Sequence, residues 1–86
     1  MLYLDKKKWI ECNCVLQDDQ LYIFKNFETK NRIRISLSEI TKIFPQPFQN
    51  QDFAFHLERK KGGVSLAVTT EETLTFWVEV ISSKLK

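Results

Sequence analysis

Three consecutive lysines, Lys6, Lys7 and Lys8, stop at Trp9, and Ile10, Cys12 and Cys14 follow at every second position. A lysine run is what an anionic ligand needs, because ammonium groups donate charge-assisted hydrogen bonds to phosphate or carboxylate oxygens. The two cysteines sit two apart on one strand, a poor geometry for a disulfide. A metal pair would need further ligands and finds only His56, so buried thiols in a reducing cytosol are the favoured reading, with no metal and no cofactor. His56 falls on the outward parity between Phe55 and Leu57, with no serine or cysteine nucleophile set beside it by any motif. Asp18-Asp19 and Glu71-Glu72 are adjacent carboxylates that a turn and a helix N-terminus explain. Lys60-Lys61-Gly62-Gly63 has the glycines of a tight turn but not the following helix of a phosphate cradle. These residues point to a binding module, not an enzyme.

The elements that must position them come from hydrophobic period. The chain of 86 residues has room for one core, its 43% apolar content can fill it, and two Gly and two Pro argue against a disordered tract. Net charge is only +2, so attraction to an anionic partner depends on where the charges lie. No basic-apolar leader opens this sequence and no apolar run nears the roughly 18 residues of a membrane span, so the domain is expected in the cytoplasm, at most peripheral to a membrane. From Trp9 to Leu16 the even positions are apolar, marking a half-buried strand. Gln17 to Gln20 form a polar connection into Leu21–Phe24, and a second connection, Asn26 to Asn31, leads to a strictly alternating segment from Arg32 to Leu37.

Ser38 to Phe44 fits a short strand or one helical turn, since Ile40 and Ile43 are three apart. Pro45 and Pro47 then interrupt. Phe53, Phe55 and Leu57 alternate, Gly62-Gly63 turn, and Val64, Leu66 and Val68 complete a hairpin. Thr69-Thr70-Glu71-Glu72 matches the S/T-x-x-E capping box. Leu74, Trp77, Val78, Ile81 and Leu85 then recur at three- and four-residue spacing, so a helix spans about 70–85.

Leu2-Tyr3-Leu4, Trp9 with Val15-Leu16, Leu21-Tyr22-Ile23, Ile33-Arg34-Ile35, Phe53-Ala54-Phe55, Leu66-Ala67-Val68 and Trp77 together resemble, in order and spacing, the pleckstrin-homology (PH) domain. The resemblance covers nearly the whole chain, 1–86. It implies a mainly β fold: a seven-stranded, bent antiparallel barrel capped by one C-terminal α-helix, with Trp77 a structural residue of that helix. The family usually has a glycine and further residues before the first strand, so the resemblance also implies a trimmed start.

The resemblance implies a binding mouth at the open end of the barrel, formed by three loops. Those loops hold Lys6, Lys7 and Lys8; then Lys25, Lys30, Arg32 and Arg34; then Arg59, Lys60 and Lys61, ten of the 13 basic residues. Such a cluster draws a domain to anionic lipid by about 1 kcal/mol per well-placed cation, although solvated loops collect lysines without any ligand. In members that grip phosphoinositides the second strand carries a basic-x-Arg pair, and the matching positions here are Ile10 and Cys12. The resemblance therefore implies weak attachment to anionic or phosphoinositide-containing membranes with little headgroup specificity. The alternative is a protein-interaction or intramolecular docking domain, with Phe27, Phe44 and Phe48 as contacts. Each of these rings is equally read as closing the barrel. Nucleic acid is not an expected partner, because the aromatics do not interleave with the basic loops, and the isolated domain is expected to be a monomer.

Overall fold

The computed structural model describes residues 1–28, 30 and 32–85. Seven strands form one antiparallel sheet: β1 (Leu2–Asp5), β2 (Lys8–Gln17), β3 (Gln20–Lys25), β4 (Arg32–Ser36), β5 (Ile40–Pro45), β6 (Ala54–Arg59) and β7 (Val64–Ala67), followed by helix α1 (Glu71–Lys84). In space the strands run β4-β3-β2-β1-β7-β6-β5. The sheet coils until its inner faces share one core, which joins Cys12, Leu21, Ile23 and Ile35 from one half with Phe55, Leu57, Val64 and Leu66 from the other. The mainly β, helix-capped architecture expected from the sequence is the one observed.

Alternation sets the faces. On β2 Cys12 is 1% exposed while Glu11, Asn13 and Val15 lie on the wet side. The β2–β3 connection is tighter than the four residues expected: Gln17 pairs with Gln20, leaving a two-residue turn in which Asp18 adopts φ 56°. Such turns match the twist of the flanking strands, and Asp tolerates the left-handed region. Of the connection from Asn26 to Asn31, Thr29 and Asn31 lie outside the described residues, as does Lys86 at the end of the chain.

The ambiguous stretch after Leu37 contains both candidates in succession. Leu37–Glu39 make a single 3-10 turn and β5 begins at Ile40. A register shift between Ile40 and Lys42 inserts one residue, so that Ile40 and Ile43, three apart, both turn to the core.

The helix cap lies one residue later than the sequence reading placed it. Thr70, not Thr69, is the N-cap, accepting the Thr73 N–H at 3.2 Å, and its hydroxyl also bonds the Thr73 hydroxyl at 2.8 Å. The shift puts Thr73, rather than Glu72, at the third helical position, so the Glu-based box is replaced by a threonine pair. Leu74, Trp77, Val78, Ile81 and Leu85 form the packed stripe, set against β5 and β6. Ile81, with no exposed surface, is its anchor. Trp77 is only half-buried, with Phe76 meeting it edge-on at 6.0 Å.

Candidate functional site

The end of the barrel that carries Lys6 is built by register. Asp5 pairs with Lys8, so Lys6 and Lys7 form a two-residue turn in which Lys6 takes φ 61°. All three lysines are exposed. Pairing of Tyr3 with Leu66 sets this turn beside the β6–β7 turn, where Gly62 (φ 131°) gives the positive φ that the reversal requires and its N–H bonds Arg59 O at 3.2 Å. Lys60 and Lys61 are exposed there. Arg59 is committed locally: its Nε donates to Gly62 O at 3.1 Å and its guanidinium lies 3.7 Å from Glu39.

The inner wall beneath these turns is apolar and crossed by an ion pair. Lys25 stands opposite Cys12 on β3, and Asp5 stands opposite Lys8 on β1. The Lys25 ammonium and Asp5 carboxylate meet at 3.9 Å, spanning β2 at the level of Ile10, the residue between Cys12 and Lys8 on that face. Burial, with the Asp5 carboxylate next, holds the Tyr3 phenol above its ordinary range, against a smaller opposite pull from Arg59. Deeper, the Cys12 and Cys14 sulfurs are 4.0 Å apart and unbonded covalently, and the Cys14 thiol donates to the Met1 sulfur at 3.1 Å. The hydrogen bond with Cys12, followed by burial, pushes Cys14 up, keeping it a thiol.

The ten basic residues singled out in the sequence therefore fall into separate groups. Lys6, Lys7, Lys60 and Lys61 are exposed on neighbouring turns and Lys8 at the start of β2 beside them, Lys25 and Arg59 are ion-paired, and Lys30 is exposed in the β3–β4 connection. Arg32 and Arg34 are not loop residues but members of β4. Opposite in parity to Ile33 and Ile35, they lie on the outer face, where Arg34 pairs with Tyr22 and Arg32 with Phe24. Val15 and Asn13 complete these two rows on β2. Tyr22 and Phe24 stack at 6.5 Å, the Arg32 guanidinium covers Tyr22 at 5.6 Å, and a groove of about 250 Å³ runs along Val15, Gln17, Tyr22, Phe24 and Arg32. Aromatic and basic residues thus interleave across strands, which the reading of the loops alone missed. Their shared parity on β3 and β4 was the available signal.

Phe27 is 62% exposed at a turn with φ 59°. Phe44 and Phe48 fold back on His56, stacked at 5.3 Å and edge-on at 5.4 Å. Both nitrogens of His56 are engaged: Nε2–H donates to Gln46 O at 3.1 Å, which leaves Nδ1 to accept the Ser65 hydroxyl at 2.7 Å. A serine does therefore stand beside the histidine, set there by no local motif but by the β6–β7 register that places His56 against Ser65. The pair ties Gln46 to the sheet, and Trp9 Nε1–H adds a bond to Gln49 O at 3.2 Å. Among the described residues no three His, Cys, Asp or Glu side chains are grouped to hold a metal ion, and no helix is long and apolar enough to cross a membrane.

A protein-family model described as PH domain matches residues 2–86, essentially the whole chain. No curated protein matches the chain.

Proposed function

Because the chain belongs to the PH-domain family, whose members generally serve as non-catalytic signalling and targeting modules, we propose that it helps attach a larger intracellular protein to anionic membranes. Attachment is weak, with little preference among phosphoinositide and other anionic headgroups. The observation that carries this reading is the contrast between rim and floor. Lys6, Lys7, Lys60 and Lys61 are exposed on adjacent turns and Lys8 at the adjoining start of β2, whereas the wall beneath them offers Ile10 and buried Cys12, with Lys25 already engaged by Asp5. A headgroup gripped stereospecifically needs several fixed donors in the wall. Exposed ammonium groups supply long-range attraction instead, at about 1 kcal/mol each near an anionic surface. Arg32 and Arg34, on the outer face of β4, stand apart from this set.

Sedimentation with phosphatidylserine vesicles and with a panel of phosphoinositide vesicles, at two salt concentrations, tests the reading. Replacing Lys6, Lys7 and Lys8 by alanine is expected to weaken binding by about 100-fold at low salt, from three cations at the surface value, and to flatten its salt dependence. Binding unchanged by the triple substitution, or selective for one headgroup and resistant to salt, overturns it. Absence of binding to every vesicle assigns the domain to protein docking instead.

A further inference from the structure

We propose that the free edge of β4, with the outer face beside it, docks an extended acidic segment of a partner protein as an added strand. The segment carries two carboxylates two residues apart with an apolar residue between them.

Asn26 N–H bonds Glu11 O at 2.8 Å, which marks that opposed pair as one that exchanges backbone bonds. In an antiparallel ladder such pairs alternate with non-bonded ones, so Asn13–Phe24, Val15–Tyr22 and Gln17–Gln20 are the bonded pairs of β2 and β3. The β3 residues between them, Ile23 and Leu21, must then bond to β4 through their partners Ile33 and Ile35. The amides and carbonyls of Arg32 and Arg34 consequently point away from β3. β4 ends the sheet, and among the described residues neither arginine's backbone bonds to another element. A row of unpaired donors and acceptors remains, the template to which another strand adds.

Charge and spacing say which strand. Edge strands are commonly blunted by cations that repel association, and Arg32 and Arg34 would do so toward a basic or purely apolar chain. Toward an acidic chain the same pair attracts, so the edge both selects and excludes. The arginines share the outer face at the two-residue repeat of a strand, about 6.6–7 Å. Residues directly opposite on an added strand approach within about 5.5 Å between Cβ atoms, which matches carboxylates two apart. The residue between them turns to the inner side beside half-buried Ile33, where an apolar side chain is favoured. Arg32 is already held over Tyr22, so less ordering is needed on binding. That stack also occupies a face of Tyr22 that a nucleobase would need, with Phe24 stacked beside it, which favours a peptide over single-stranded nucleic acid.

The test is a titration of the isotopically labelled chain with two synthetic peptides of the same composition, GTEVEVTG with alternate glutamates and GTEEVVTG with adjacent ones. The alternating peptide is expected to shift the Arg32–Ser36 amides and to slow hydrogen exchange at Arg32 and Arg34. Binding should weaken about threefold for the adjacent-glutamate peptide, which can set only one glutamate opposite an arginine, and about tenfold for R32E/R34E, the losses expected for one and for two exposed ion pairs. Thermal unfolding checks that the double variant folds. Independently, a peptide N-methylated at the amides that would face β4 is expected to lose binding to the unaltered chain. Equal affinity for the two peptides, retention of binding by the methylated peptide, or shifts confined to Lys6–Lys8 and Lys60–Gly63 overturns the proposal. Displacement of the peptide by an oligo(dT) strand overturns the choice of a protein partner.

Discussion

Replacing Asp5 by Asn removes the carboxylate that engages Lys25 across β2, with little change in side-chain size. The pair is 3.9 Å long and both partners are partly solvated, at 32% and 44% side-chain exposure for Lys25 and Asp5. In water that separation is worth about 1 kcal/mol of attraction, and exposed pairs measure between about 0 and 1 kcal/mol net. The fold should therefore lose less than about 1 kcal/mol, or a few degrees of Tm for a domain of this size. Binding should move the other way. One negative charge leaves the rim and Lys25 is released, so affinity for phosphatidylserine vesicles rises by about fivefold at low salt, from one charge at roughly 1 kcal/mol. At high salt, where the screening length shrinks to a few ångströms, the gain should vanish. Sedimentation of D5N and the unaltered chain, with circular dichroism to confirm folding, reads both effects. Ile10 and Cys12 are unchanged in the variant, so the gain must be similar for every anionic headgroup. Unchanged or weaker binding by folded D5N at low salt, or a gain confined to one phosphoinositide, refutes the account of a masked rim over an apolar floor.

Ile81→Ala empties a fully buried site between α1 and the sheet and is expected to cost about 2–5 kcal/mol in urea unfolding. Thr70→Ala should cost about 1 kcal/mol by loss of the cap, while Thr69→Ala stays within about 0.5 kcal/mol; the reverse order would restore the earlier start of the helix. Cys14 is held protonated by its bond with Cys12 and by burial, so the folded state retains a proton that the unfolded chain releases above about pH 8.5. The contribution of Cys14 should thus be full below that pH and decline above it, while the Cys12 thiol, lowered by its bond with Cys14, works in the opposite sense; Cys14→Ala should lessen the decline in unfolding measured above about pH 8.5.

The strands were legible because each inner residue is fixed by a two-residue period, and Cys12, Ile23, Ile35, Phe55 and Leu66 are where that period puts them. What escaped depends on which strands lie side by side. The Lys25–Asp5 pair joins β3 to β1 across β2, and the His56–Ser65 bond joins residues that are neighbours only after β6 and β7 are in register. No local pattern encodes either contact. Ile40 and Ile43 looked helical because the register shift in β5 breaks the strand period where a helix would also break it. Thr69 and Thr70 both satisfy the chemistry of an N-cap, and the geometry of the chain leaving β7 decides between them. For the candidate site, the lysines of the turns were evident as a run, whereas assigning Arg32 and Arg34 to a loop overlooked the alternation that puts them on the outside of β4.

β1 is hydrogen-bonded on one side to its immediate successor and on the other to β7, the last strand of the sheet in chain order, through Leu2–Ala67 and Tyr3–Leu66. On a ribosome the first four strands can zip up as they emerge, but the far margin of β1 must wait until Val64–Ala67 of β7 have been made. Until then the nascent chain carries an unmatched margin beside an uncapped hydrophobic trough. Early termination before Val64 should yield a product recognised by chaperones and proteases rather than a smaller working unit.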